Sequence, residues 1–302
     1  MNVLCVGGAG YLGSHVVRVL TELGEQVTVL DNLTYQDEYR GPAAFVFGDV
    51  IDSELIARQA KRHDAVVWLA AIVGDAACAA DPARAIAVNQ EAIRAVVGCG
   101  KPIVFTSSCS VYGLNGGEAN EDAPLKPLSI YAETKLKGER YLPGERAAIL
   151  RLGTLHGASD RLRFDLVVNA MTRDAVDLGL VRVYGGHQRR PLLAVQDAAD
   201  YIALQVLSEV PHPGIYNLAG ENLTIEAIGE RVVGLTGARL NLIAADSEDR
   251  RDYEVSSRRA KEYDFEPMRS IDDSIHDLSS LLRSGRIKNP YSPRYANAAR
   301  FQ

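Results

Sequence analysis

Tyr131 and Lys135, four residues apart in "SIYAETKLKGERYL", are the side chains in this sequence best suited to moving a proton. Ser129 precedes them as an N-cap, so both belong to one helix, and a separation of four places them on one face. A phenol with a reference pKa of about 10 is a poor base at neutral pH, but a neighbouring ammonium favours its phenolate. Tyr131 is therefore a candidate general base for a hydroxyl on a carbon undergoing oxidation, with Lys135 lowering its pKa. A further hydroxyl stands where the apolar run of "VFTSSCSVYG", residues 104–113, breaks open: Ser108 faces the chemistry and Ser107 is structural. Helices carry many Tyr-x-x-x-Lys pairs by chance, so the pair needs a context to acquire meaning.

A glycine turn provides it. Gly7, Gly10 and Gly13 in "GGAGYLG" lie directly between a first strand and a first helix. Glycines there allow a tight turn, close backbone approach to a pyrophosphate and close helix packing, with the helix N-terminus facing the anion. Asp31 ends the second strand 18 residues after Gly13. A carboxylate at that point accepts hydrogen bonds from a ribose 2′-hydroxyl and repels a 2′-phosphate, which predicts NAD over NADP. A plain turn-capping role for Asp31 with Asn32 is the competing reading. "GDV" at 48–50 places Asp49 near the adenine edge.

The elements that must position these groups alternate. Continuous apolar runs at 2–6, 26–30, 44–47, 65–70, 102–108 and 147–152 suit strands covered on both faces. Helical patterns lie between them: Tyr11 to Leu23, with Leu12, Val16, Val19, Leu20 and Leu23 on one face, and a helix capped by Asp81 with Pro82 first and running to Val97. This predicts an α/β fold, a Rossmann-type doubly wound parallel sheet with a smaller C-terminal α/β substrate lobe. The expected nucleotide-binding domain takes 1–152 plus about 192–219, and the substrate lobe about 153–191 and 220–302. Strands are expected at "LVRVYGG", "GIYNLAG" and "RLNLIAA", helices from near Asp197, over "TIEAIGERVVGLTG" and over "SIDDSIHDLSSLLRSG". "NPYSPRYANAARFQ" reads as an extended tail that docks on the protein or on a partner subunit.

With 302 residues, 32.8 kDa and 47% hydrophobic residues, the chain can bury one large core or two modest ones. A net charge of −6 and a pI near 5.6 argue against a nucleic-acid binder and leave room for a local basic site for one anionic ligand. No apolar run approaches the roughly 20 residues of a membrane span, and "MNVLCVGGAG" reads as a strand rather than a cleavable leader, so the expected location is the cytoplasm. Cys5, Cys78, Cys99 and Cys109 show neither CxxC nor Cys/His metal spacing and read as reduced thiols.

Together, "GGAGYLGSH", "LDNL", "GDV", "LAA", "VN" at 88–89, "SSCSVYG", "YAETK" and "RRPLLAVQDAA" resemble the extended short-chain dehydrogenase/reductases, in particular their NAD-dependent nucleotide-sugar epimerase/dehydratase branch, the UDP-galactose 4-epimerase-like proteins. The resemblance implies that Tyr11 and Leu12 lie along the pyrophosphate. It places Asp31 and Asn32 on the adenosine ribose, Asp49 and Val50 beside the adenine, and Leu69, Ala70 and Ala71 along the cofactor. Asn89 would steady the site backbone, Ser108 and Tyr131 would act on the substrate, Lys135 would also hold the nicotinamide ribose, and Arg190 would grip the substrate diphosphate. The implied substrate is a nucleotide-diphosphate sugar. The implied assembly is a homodimer through helices at about 82–97 and 129–142.

Departures narrow the reaction. Thr154 stands where many relatives carry a substrate-binding asparagine, and Pro191 and Ala194 replace an aspartate and a histidine. The 4,6-dehydratases of this family carry Asp-Glu after the catalytic Ser/Thr, whereas here Cys109 and Ser110 occupy those positions, which disfavours dehydration. Cys109 could act as an acid/base with His156, as a cysteine there does in one branch of the family, but a small buried filler is the favoured reading; the same holds for His156 and His187. The expected activity is hydride transfer at sugar C4 by an NDP-hexose or NDP-heptose 4-epimerase, with a 4-dehydrogenase or 4-ketoreductase as the alternative and a non-catalytic dinucleotide-binding protein as the remaining one.

Overall fold

A computed structural model describes residues 1–142, 144–208, 212–243 and 251–301. In chain order the first half comprises β1 (Asn2–Val6), α1 (Gly13–Glu22), β2 (Gln26–Asp31), β3 (Ala44–Phe47), α2 (Ser53–Arg62), β4 (Ala65–Trp68), α3 (Asp75–Ala80) and α4 (Pro82–Ala85). It continues with β5 (Ile103–Ser108), β6 (Leu114–Ala119), α5 (Ile130–Glu139) and β7 (Ala147–Leu152). The second half comprises β8 (Thr154–His156), α6 (Val167–Leu178), β9 (Leu180–Tyr184), β10 (Arg189–Ala194), α7 (Val195–Leu207), β11 (Gly214–Leu218) and β12 (Glu221–Thr224). It closes with α8 (Ile225–Thr236), β13 (Arg239–Ile243), β14 (Asp252–Val255), α9 (Arg258–Lys261) and α10 (Ile271–Arg283). Of the expected strand "RLNLIAA", positions 244 and 245 lie outside the described residues, as does Gln302 of the tail.

Seven strands form one sheet in the order β11-β7-β5-β4-β1-β2-β3, and every pairing in it is parallel. Such a sheet needs helices on both faces. Val16, Val17 and Leu20 of α1 pack with Ala198, Ala199 and Ile202 of α7 on one side, while Ile56 and Ala60 of α2 and Val88 and Ile93 cover the other. On α1, Val16, Val17 and Leu20 are buried, Val19 is half-buried against the same core, and Leu23, expected on that face, is exposed at the C-cap. The strand order reverses beside β1, between β2 and β4, and the carboxyl ends there open into the crevice where such sheets bind ligands.

The expected single helix from Pro82 to Val97 is a composite. The Asp81 side chain accepts from Arg84 N at 2.9 Å, α4 runs to Ala85, and the helix then widens into a π turn over Ile86–Glu91 and tightens to 3-10 over Ala92–Val96. A second, smaller assembly consists of the three-stranded sheet β12-β10-β8, the pair β13-β9, and helices α6, α8 and α10 around Val168, Val183, Ile228 and Ile275. β6 pairs with β14. The tail docks on its own chain: Phe164 N donates to Tyr295 O at 2.9 Å, their rings meet edge to face, and the Asn297 amide donates to Val73 O at 3.1 Å.

Candidate active site

The carboxyl edge of the seven-stranded sheet and the smaller assembly enclose one cleft of about 730 Å³. Its cofactor end is built by backbone. Gly7 has φ +84°, and a Cβ there would stand 2.5 Å from Ala70 N; a Cβ on Gly13 would stand 2.5 Å from Gly7 O. Glycine alone allows this turn to sit so close to its neighbours. Asp31 ends β2 with Oδ2 accepting from Ala9 N at 3.0 Å and Oδ1 from Leu33 N at 2.8 Å. Each oxygen keeps a lone pair for a ribose hydroxyl. Leu69 N and Ala70 N both bond to Val6 O, at 2.8 and 2.9 Å, which lays Leu69, Ala70 and Ala71 along the cleft wall. Tyr11, Leu12, Asn32 and Val50 line the cleft as well. These residues fit a dinucleotide.

Asp49 behaves differently from the expectation. It does not line the cleft but turns to Asn32, whose amide donates to it at 2.8 Å, and forms an ion pair with Arg84. Burial works against its charge, yet these two partners and the Ile51 amide hold its carboxyl below the usual range. Its role is to fix Asn32 and Arg84, which do line the cleft. Asn89 is fully buried in the π turn: its Oδ1 accepts from Ile72 N at 2.8 Å and its Nδ2 donates to Ile72 O at 2.9 Å, tying down the backbone after β4.

At the reacting end, Ser129 caps α5 by accepting from Ala132 N at 3.2 Å and so presents Tyr131 and Lys135 to the cleft. Ser108 ends β5, lines the cleft with Tyr131, and accepts from Ser110 Oγ at 2.9 Å. Burial raises the Tyr131 phenol well above its ordinary value, the Cys78 thiol adds to this, and the Ser108 hydroxyl nearby works the other way. Burial also pushes the Lys135 ammonium down to about 8, opposed by the Glu139 carboxylate one turn on. The lysine lies over the Phe105 ring, 4.4 Å from its centroid.

Behind this edge runs a buried polar network. Glu139 accepts from Arg151 Nε at 3.0 Å and Nη2 at 2.8 Å and also from Ser107, while Arg151 Nη1 donates to Tyr112 at 2.9 Å. Cys109 belongs to this layer. It is fully buried, does not line the cleft, donates its thiol to Arg151 O at 3.1 Å, and burial raises its pKa. The acid/base reading of Cys109 is therefore set aside. Its suggested partner His156 bonds instead to Ser274 Oγ at 2.8 Å, with burial pushing it down to about 4.

The far wall comes from the smaller assembly. Thr154 and Arg190 line the cleft as expected, and Arg161, Arg163, Arg251 and Tyr253 join them. None of these four had a distinguishing sequence signal. Arg163 forms a bidentate pair with Asp165 at 3.0 and 2.9 Å, and Arg251 pairs with Asp75 at 3.0 Å.

A family model described as the NAD dependent epimerase/dehydratase family matches residues 3–219. The chain belongs to that family. It is an NAD-dependent enzyme of the extended short-chain dehydrogenase/reductase type. It is 29% identical over 274 residues to a dTDP-glucose 4,6-dehydratase of Streptomyces niveus, covering 80% of each chain. It is 27% identical over 272 residues to a UDP-glucose 4-epimerase of Lactobacillus helveticus, covering 78% of this chain and 82% of that one. The structure of a Thermus thermophilus UDP-glucose 4-epimerase in complex with NAD matches with a TM-score of 0.81 and 25% identity, covering 94% of this chain and 99% of that one.

Proposed function

We propose that this family member is an NAD-dependent nucleotide-sugar 4-epimerase. The relatives include both epimerases and dehydratases, and the end of β5 bears on the choice between these two. Dehydration needs an acid and a base besides the tyrosine, to remove one proton and to protonate a leaving hydroxyl. The two residues after Ser108 are Cys109, buried and turned away, and Ser110, bonded back to Ser108. Of the other carboxylates lining the cleft, Asp75 is paired with Arg251, Asp165 with Arg163, and Asp31 lies at the glycine turn.

Ser108 hydrogen-bonds the C4 oxygen, and Tyr131 takes the C4 hydroxyl proton and later returns it. Lys135, protonated at neutral pH, favours the phenolate that Tyr131's own burial opposes. Held by the glycine turn and Asp31, NAD would supply the hydride chemistry at C4 and a positive ring charge beside that of Lys135. Arg190 holds the substrate diphosphate from the far wall, beside Thr154. The same reading carries a homodimer through the helices at 82–97 and 129–142, where Ile86 and Val97 are 41% and 42% exposed.

The test incubates the enzyme with UDP-, dTDP-, GDP- and ADP-sugars and follows sugar configuration by NMR alongside NADH absorbance. A 4-epimer formed without accumulating NADH is the expected result. A 4-keto product with stoichiometric NADH, or a 4-keto-6-deoxy product, overturns it.

A further inference from the structure

Arg161, on the loop after β8, is 5% exposed and lines the cleft. Its Nε and Nη2 are buried without a hydrogen-bond partner, and it forms no ion pair among the described residues. Asp160, the acid next to it in sequence, is exposed and forms no ion pair with it, and Asp165 is already engaged by both forks of Arg163 and by Asn297 N. What Arg161 does touch is a ring: its guanidinium carbon lies 4.9 Å from the Tyr35 centroid. Stacking satisfies a guanidinium face and leaves its in-plane donors unmet. Burying a cation with unmet donors is costly unless something anionic completes it.

The surroundings indicate which anion. The loop bearing Arg161 is pinned to the glycine turn: Ser159 Oγ donates to Tyr11 O at 2.7 Å, and Tyr11 OH donates to Gly157 O at 2.7 Å. Arg161 acts electrostatically on Tyr11 and on Tyr35, which follow β1 and β2 on the cofactor side. The tail shuts the same corner, with Phe301 edge-on to Tyr35 at 6.1 Å and Asn297 bonded to Val73 O. Arg190 faces Tyr253 instead, 6.0 Å from its ring. The cleft thus holds arginines suited to two diphosphates, that of the dinucleotide and that of the nucleotide sugar.

We propose that Arg161 is a cofactor-binding residue, its guanidinium completing the site for the NAD pyrophosphate from the side opposite the glycine turn. The smaller assembly would then clamp the dinucleotide as well as the substrate. The inference rests on NAD use and not on the 4-epimerase reading.

The test measures NAD affinity of NAD-depleted protein by calorimetry, UDP affinity of NAD-loaded protein, and the melting temperature with and without NAD, for wild type, Arg161→Gln, Arg161→Lys and Arg190→Gln. Arg161→Gln is expected to raise the NAD Kd by about 10- to 100-fold, the range of charge-assisted hydrogen bonds to a phosphate. Arg161→Lys falls between, and the UDP Kd of both stays within about two-fold of wild type, whereas Arg190→Gln weakens UDP and spares NAD. Without NAD, Arg161→Gln melts at or above the wild-type temperature, because an unpaired buried charge has been removed, and its gain on adding NAD shrinks. An unchanged NAD Kd overturns the proposal. If UDP weakens in its place, Arg161 serves the substrate diphosphate; if neither affinity moves and the melting temperature falls equally with and without NAD, its role is packing alone. Should Arg161→Gln fail to fold, an unchanged NAD Kd in Arg161→Lys is equally decisive against it.

Discussion

Replacing Glu139 with glutamine perturbs stability and catalysis through one buried contact, and both effects have a determined sign. Glu139 and Arg151 are 5% and 2% exposed, and two parallel bonds of 3.0 and 2.8 Å join them. Glutamine keeps the shape but removes the charge and turns an amide donor toward a guanidinium, leaving Arg151 uncompensated in the core. Breaking one side of such a pair costs about 3–5 kcal/mol. At about 2 °C per kcal/mol for a chain of this size, the melting temperature should fall on the order of 6–10 °C. The catalytic effect follows from Lys135, which burial lowers to about 8 and Glu139 raises. Since the protonated lysine favours the Tyr131 phenolate, kcat/KM should decline as pH rises through the lysine pKa. Without the carboxylate that decline begins at lower pH. Lys135 also works on stability: its folded pKa lies below the unfolded value of 10.5, so between about 8 and 10.5 the unfolded chain binds more protons and this group's contribution rises with pH. Calorimetry and a pH–rate profile of Glu139→Gln measure the two effects. A wild-type melting temperature together with an unmoved alkaline limb would refute the reasoning.

Three further substitutions separate chemistry from architecture. Tyr131→Phe removes the proposed base and should lower kcat by at least about 100-fold while NAD content stays at the wild-type level; NMR turnover assays and cofactor quantification read the two sides. Gly7→Ala puts a Cβ 2.5 Å from Ala70 N at a φ of +84° and should abolish NAD retention, as seen by the absorbance of protein desalted after loading. Cys109→Ala should keep activity within about two-fold, since the thiol is a buried filler bonded to a backbone carbonyl; a hundred-fold loss with unchanged stability would restore an acid/base role.

How far the sequence discloses this molecule depends on whether a residue's meaning is local. Strands such as "AVVW" and "AAILRL" are buried along their whole length, so their apolar runs reveal them. The cap Ser129, the glycine turn and Asp31 are likewise local devices. β6 escaped because "LNGGEA" is mostly exposed and finds its partner β14 more than a hundred residues later. The π turn at Ile86–Glu91 escaped because its cause is tertiary: Asn89 is drawn inward to bond both polar groups of Ile72.

Arg161 and Arg163 bring the difference to a single pair. In "DRLRFD" they are the same residue type two positions apart, and nothing in composition or spacing distinguishes them. In the fold Arg163 takes both oxygens of Asp165, and Arg161, turned toward Tyr35 and the glycine turn, has its Nε and Nη2 left unpaired. The bound carboxylate makes Arg163 part of the wall. The missing one makes Arg161 part of the site, because a buried cation whose donors the protein leaves unmet is stabilised by whichever anion enters beside it. That asymmetry also predicts where retention of the dinucleotide should be most sensitive. A substitution supplying a carboxylate to Arg161 from its own surroundings would satisfy the guanidinium without ligand, stabilise the free protein, and weaken its hold on NAD.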